Sequence, residues 1–344
     1  MAVEPLLATR AQRAFIATIT IQAIAVLVMV AIEFRDIDEF IDLRDTRYKT
    51  VPCYLALFAL AEIFEFLMAF DALRLRNIIQ LLGLLIFHGA LIVFAGIQIH
   101  ETRTALVTDT QCDDDNCGTP LWNRIKPFLI ATPCIIGASW FFLLFWVKQL
   151  YSEFGWAIFH VVGANPKMKT MYQYYQIMIC LLKFDFFFFT GVTMQLLIIV
   201  LQRSSAEFGI TIAAIPVVLV LLILCGLAVQ REVKAVMGIS LVLMLAALSY
   251  FLYKLVRFYE PSSRNQYLTT RATLTTFTIA AFILLLSTFA IGIRCLADFD
   301  RGLISSKVNS VPIRPSASTH NSGNMGEKPS NSSGVPLGPR ISIE

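Results

Sequence analysis

Residues 51–99 read VPCYLALFALAEIFEFLMAFDALRLRNIIQLLGLLIFHGALIVFAGIQI, and the fold follows from how this stretch divides. Two apolar runs, Val51–Phe70 and Ile78–Ile99, flank a short polar step that carries Asp71, Arg74, Arg76 and Asn77. A hydrocarbon core about 30 Å thick takes about 20 apolar residues at 1.5 Å each. Both runs match that length and are far too long for membrane barrel strands. Backbone polar groups in lipid must be satisfied within their own segment, so each run is a helix.

The same pattern recurs outward in both directions. Ala14–Phe34 precedes the pair; Pro127–Val147, Tyr174–Leu201, Phe208–Val229, Ala235–Tyr253 and Ala272–Ile293 follow it. The fold class is an all-α, polytopic helical transmembrane bundle of about eight helices. Seven is the alternative count, because the second run holds Glu62 and Glu65. The first run follows Arg10 and Arg13 and exceeds a signal peptide's apolar core, so it reads as an uncleaved anchor. No internal repeat is visible. The chain divides into a short N-terminus (1–13), a membrane domain (14–301) and a tail (302–344). The tail's Ser, Pro, Asn and Gly residues predict disorder, since they bury too little apolar surface to offset ordering entropy.

Composition excludes other classes. Of 344 residues, 57% are hydrophobic and 15% charged, and the mean hydropathy is +0.68. Soluble chains carry about 25% charged residues, so a soluble enzyme, a disordered protein and a secreted scaffold all fit poorly. A net charge of +4 does not point to nucleic acid. The bilayer is the expected partner, and no cofactor is called for. The expectation is not an enzyme: G-x-S-x-G, H-E-x-x-H and P-loop motifs are absent, and the only histidines are His88, His100, His160 and His320.

An even span count puts both termini on one face. Loop Lys and Arg are nearly balanced between the two faces, so the positive-inside rule gives a tie. Cys112 and Cys117 suit an oxidising lumen, and the tail suits the cytosol. Both termini are therefore expected to be cytosolic. Cys112-Asp-Asp-Asp-Asn-Cys117 reads as a local lumenal disulfide in preference to a metal loop or free thiols, since no His accompanies it. The 148–176 stretch is expected to be a cytosolic loop, which with the tail would engage protein partners. Oligomeric state is not legible.

Ionisable residues inside lipid are the informative ones, because they normally face a bundle interior. Glu62 and Glu65 share a helix face. His88 lies in the third run. Lys183 and Asp185 lie in the fifth, two apart and so on different sides. Counting from the run ends predicts a cluster of Glu62, Glu65 and Lys183 with His88 at its inner edge. Such a cluster is either a structural pin between helices or a proton relay. Gly83, Gly89 and Gly96 suggest one close-packed face of the third helix. Phe186–Phe189 reads as lipid contact or helix packing.

Three stretches carry a resemblance: Glu153-Phe154-Gly155-Trp156, Tyr172–Gln176 with Leu181–Phe187, and Asp298-Phe299-Asp300-Arg301-Gly302-Leu303. The chain resembles a fungal family of multi-pass Golgi-apparatus membrane proteins, the UPF0658 type. The resemblance implies a Golgi or related endomembrane location and supplies no mechanism. The leading expectation is a non-enzymatic membrane organiser or trafficking factor. A proton- or ion-coupled transporter using the buried charges comes second, and a heptahelical-like receptor third.

Overall fold

The computed structural model describes residues 7–40, 50–104, 119–162, 166–200, 206–260 and 271–301. Eight helices account for nearly all of them: α1 Arg10–Phe40, α2 Thr50–Leu75, α3 Ile78–Arg103, α4 Thr119–Val162, α5 Pro166–Gln195, α6 Ala206–Arg231, α7 Lys234–Tyr259 and α8 Arg271–Asp298. All eight are long and apolar enough to cross a membrane. The expected 302–344 tail and the Cys112–Cys117 loop lie outside the described residues.

The helices outrun the apolar runs because polar residues at both interfaces continue the same turns. The largest difference is α4. The stretch 148–162, expected to begin a cytosolic loop, is the last part of a 44-residue helix about 66 Å long. Leu143, Val147, Leu150 and Phe154 recur at alternating three- and four-residue steps and are all buried, so the apolar face does not stop where the hydropathy falls. Residues 166–176 belong to α5, which leaves only 163–165 between the two helices. Pro127 and Pro133 sit inside α4, not at its start.

Packing closes two rings. In the first, α1 contacts α2, α2 contacts α3, α3 contacts α4, and α4 returns along the whole length of α1. The buried face of α1 (Phe15, Ile19, Gln22, Val26, Val30, Glu33, Ile37) follows the same three-four spacing as α4. The two run antiparallel. Thr9 Oγ1 donates to Glu153 Oε2 at 3.1 Å at one end, and Arg124 pairs with Asp36 at 3.2 Å towards the other. The second ring repeats the plan with α5, α6, α7 and α8.

The two halves share a register. Arg10, Thr50 and Ile78 begin α1, α2 and α3; Pro166, Ala206 and Lys234, each 156 positions further on, begin α5, α6 and α7. The helices α2, α3, α6 and α7 are each 26 residues long. Burial agrees along one stripe: Leu81, Leu84, His88 and Ala95 are buried on α3, as are Met237, Ser240, Met244 and Phe251 on α7, while buried Phe87 corresponds to exposed Leu243. The joining turns also match. Arg76 (φ 49°) and Glu232 (φ 54°) take the left-handed conformation. The next residues, Asn77 and Val233, donate back to Ala72 O at 3.0 Å and Ala228 O at 2.9 Å. Both turns lie on one side of the bundle, hereafter the turn face.

α5 joins the rings through its contacts with α2 and α3. Phe64, Phe87, Phe184 and Phe187 form an aromatic cluster with centroids 4.8–5.7 Å apart. Phe188 lies against Phe277 of α8, so this Phe run is largely helix packing. The three glycines of α3 do not share a close-packed face. A Cβ on Gly83 would meet Phe184 at 3.0 Å, one on Gly89 would meet Trp140 at 3.5 Å, and one on Gly96 would meet nothing within 4 Å. Six residues turn a helix through about 600°, which points Gly83 and Gly89 about 120° apart.

Candidate functional site: a polar network inside the first ring

Glu62 and Glu65 lie one turn apart on the inner face of α2, and neither is exposed. Counted from Leu75, where α2 ends, Glu65 is about 15 Å and Glu62 about 20 Å along a helix of about 39 Å. They sit at mid-helix, deeper than the run-end count put them, because Asp71–Leu75 extend the helix.

Each acid has its own partner. Gln22 of α1 donates Nε2 to both oxygens of Glu62, at 2.8 and 3.0 Å. Glu65 bonds Nδ1 of His88 on α3. The other ring nitrogen of His88, Nε2, lies 3.0 Å from the carbonyl of Ile136 and 2.9 Å from Ser139 Oγ, both on α4. Ser139 in turn donates to Ile136 O at 2.8 Å. Two bonded sets, Gln22–Glu62 and Glu65–His88–Ser139, one turn of α2 apart, thus touch all four helices of the ring. His88 is at the centre of the second set, not at its edge.

Lys183 does not join this set. It pairs with Asp71 and donates to Gln80 Oε1 at 2.9 Å. Gln80 returns a bond to Asp71 Oδ2 at 3.0 Å and another to Met68 O at 2.9 Å. Asp71 lies six residues beyond Glu65, about 9 Å closer to the turn face, and Lys183 reaches that level. Asp185 points elsewhere. It lines a cavity of about 90 Å³ inside the second ring, accepting from Thr288 Oγ1 at 2.5 Å while its Oδ1 has no partner. The predicted cluster of Glu62, Glu65, His88 and Lys183 is therefore divided, and with Asp185 the buried ions occupy three sites: Glu62–Glu65–His88, Lys183–Asp71 and Asp185–Thr288.

The two rings differ most at this level. The positions 156 beyond Glu62, Glu65 and His88 are Val218, Leu221 and Met244, and all three line the cavity beside Asp185. The polar pin of one ring corresponds to an apolar space in the other.

Charge-based reading missed several participants. Gln22 and Ser139 are uncharged and invisible to a search for ions. Glu33, within the first apolar run, is a further buried acid, 11 residues along α1 from Gln22, with Oε1 unpartnered. No group of three or more His, Cys, Asp or Glu side chains suited to a metal occurs among the described residues.

No family model matches the chain, and no solved structure does. The chain is, however, 31% identical over 281 residues to a UPF0658 Golgi apparatus membrane protein of Schizosaccharomyces pombe, covering 76% of this chain and 79% of that protein. It belongs to the UPF0658 family of Golgi membrane proteins. Multi-pass insertion and Golgi membrane residence follow from that membership together with the eight helices.

In this UPF0658 member two of the stretches that carried the resemblance, Tyr172–Gln176 and the one that opens at Asp298-Phe299, adjoin at the turn face. Arg294 of α8 lies over the Tyr174 ring, 5.5 Å from its centroid. It also pairs with Asp298 at 3.4 Å, and Asp298 accepts from Arg301 at 3.0 Å. Asp300, held at φ 65°, pairs with Lys234 at 2.5 Å and donates its N–H to Glu232 at 2.9 Å. These contacts tie the end of α8 to the α6–α7 turn.

Proposed function

We propose that this UPF0658 protein is a non-enzymatic organiser of the Golgi membrane, oriented with both termini in the cytosol. The single observation behind this reading is how the buried ions are used. Gln22, Glu62, Glu65, His88 and Ser139 bond across α1, α2, α3 and α4, and none of these residues lines the cavities at Asp185 or Lys183. Polar side chains that join neighbouring helices act as pins between them. A pinned first ring gives the membrane a rigid body. The turn face, with its cluster of Lys234, Asp298, Asp300 and Arg301, and the tail offer the cytosolic partner surface, in place of the 148–176 loop.

The test measures protein abundance, Golgi delivery and lumenal pH together in cells carrying His88→Leu, Glu65→Leu or both. A structural pin predicts that each single substitution lowers abundance and that the double restores it with lumenal pH unchanged. Normal abundance with altered lumenal pH in the double variant overturns the reading.

Proton-coupled transport is the second reading. Its support is that Glu65 Oε2 is buried without a partner at mid-membrane, one turn from a second acid. Acid and histidine chains at that depth are the usual proton carriers.

A further inference from the structure

Where the rings meet, α2, α5 and α6 leave a crevice of about 430 Å³. Its walls are apolar, formed by Phe64, Leu67, Phe186, Leu219, Ile223 and Gly226. Asp71, Lys183 and Gln230 line it as well. Gln230 and Asp71 lie one and four residues from the turn-face ends of α6 and α2, about 2 and 6 Å in. Phe64 and Leu219 lie about 17 and 18 Å in. One leaflet's hydrocarbon is about 15 Å deep. The crevice therefore runs from headgroup level to the bilayer midplane.

Its polar end has unused capacity of both kinds. An ammonium has three hydrogens, and Lys183 gives two, to Asp71 and Gln80. Asp71 makes both of its contacts through Oδ2, so Oδ1 keeps its lone pairs for a donor. The two side chains are 28% and 33% exposed, and both line the crevice. A spare N–H donor beside a spare carboxylate oxygen complements a ligand that is itself a phosphate next to an ammonium. Because Asp71 already balances Lys183, a headgroup with no net charge matches better than an anionic one. An N–H on the headgroup amine serves Oδ1 where a quaternary amine has none to give.

We propose that this crevice holds one phospholipid from the turn-face leaflet, one of its two acyl chains between α2, α5 and α6 and its zwitterionic, primary-amine headgroup on Lys183 and Asp71. The site is independent of the polar network in the first ring and of which face is cytosolic.

The full chain, delipidated in detergent and returned to nanodiscs of equimolar phosphatidylethanolamine, phosphatidylcholine and phosphatidylserine, is read by native mass spectrometry after release. Wild type retains one lipid per chain, with phosphatidylethanolamine favoured at least fivefold. Gly226→Leu fills the crevice; the added Cβ meets Leu182 and Ile179 only at 3.8 and 3.9 Å, so the helices need not move. It loses the retained lipid at least tenfold at unchanged melting temperature. Leu67→Trp, on the opposite wall, does the same and serves if Gly226→Leu folds poorly. Asp71→Asn shifts preference towards phosphatidylserine. Equal retention of the three lipids by wild type, undiminished retention in both filling variants, or an unchanged preference in Asp71→Asn each overturns the proposal.

Discussion

Glu65 and His88 each lie ten residues from the tight turn that joins their helices, and their side chains bond at that shared level. An antiparallel pair joined by so short a turn brings equal offsets together, so the turn sets the register of the buried contact. Through Ser139 and Ile136 the same histidine then fixes α4. One imidazole holds three helices.

Removing one partner leaves a buried polar group unsatisfied. His88→Leu is expected to cost about 3–5 kcal/mol, as for breaking a buried pair, and Glu65→Leu a similar amount. Glu65→Leu with His88→Leu recovers most of the loss because no orphan ion remains. Thermal unfolding of the detergent-solubilised variants measures this. A double variant no more stable than either single would refute the pin.

Gln22 has a smaller role. Gln22→Leu removes the donor to Glu62 and should destabilise by about 1–3 kcal/mol. Glu62→Lys puts a cation against the Gln22 amide that now donates to Glu62, and should leave less folded protein than Gln22→Leu. Fluorescence-detected size exclusion ranks the two, and the reverse order would exclude the assigned geometry.

The glycines of α3 provide an internal control. Gly83→Val drives a side chain into Phe184 at the junction of the rings and should cost about 1–3 kcal/mol. Gly96→Ala meets open space and should gain about 0.5–1 kcal/mol from helix propensity. Equal melting temperatures for the two would contradict the α3–α5 contact.

Orientation is checked with tags after Met1 and after Glu344, both of which should be protease-accessible on the outside of sealed Golgi vesicles. A glycan acceptor placed between Asp109 and Thr119 should be modified, and Asn331, in its Asn-Ser-Ser sequon, should not be. In the same samples, thiol blocking before reduction should find Cys112 and Cys117 oxidised. Glycan at Asn331 would invert the orientation.

Helix number and most helix positions were legible because apolar length is a coarse property that survives local variation. The ends were less so: Leu150 and Phe154 continue the buried face of α4 beyond the point where Lys148 and Tyr151 lower the hydropathy. The candidate site was half legible. Charge in lipid identified Glu62, Glu65, His88, Lys183 and Asp185, but not which helices touch. Lys183 falls to other partners than the expected acids because the depths of Glu62 and Glu65 are counted from Phe70, while α2 runs on to Leu75 and sets both acids deeper than Lys183. The shared register of the two halves is not legible in the sequence for a chemical reason: Glu62, Glu65 and His88 correspond to Val218, Leu221 and Met244, so spacing repeats where composition does not.

Because each ring is closed by four consecutive helices, the order of synthesis matters. When α4 leaves the translocon, α1 already has every neighbour of its own ring, and Gln22, Glu62, Glu65, His88 and Ser139 can bond before α5 is made. The most polar part of the membrane domain is thus shielded from lipid early. The second half, whose interior asks for far less pairing, inserts beside a finished scaffold. Separate polypeptides divided at 163–165 should accordingly find one another in the same membrane.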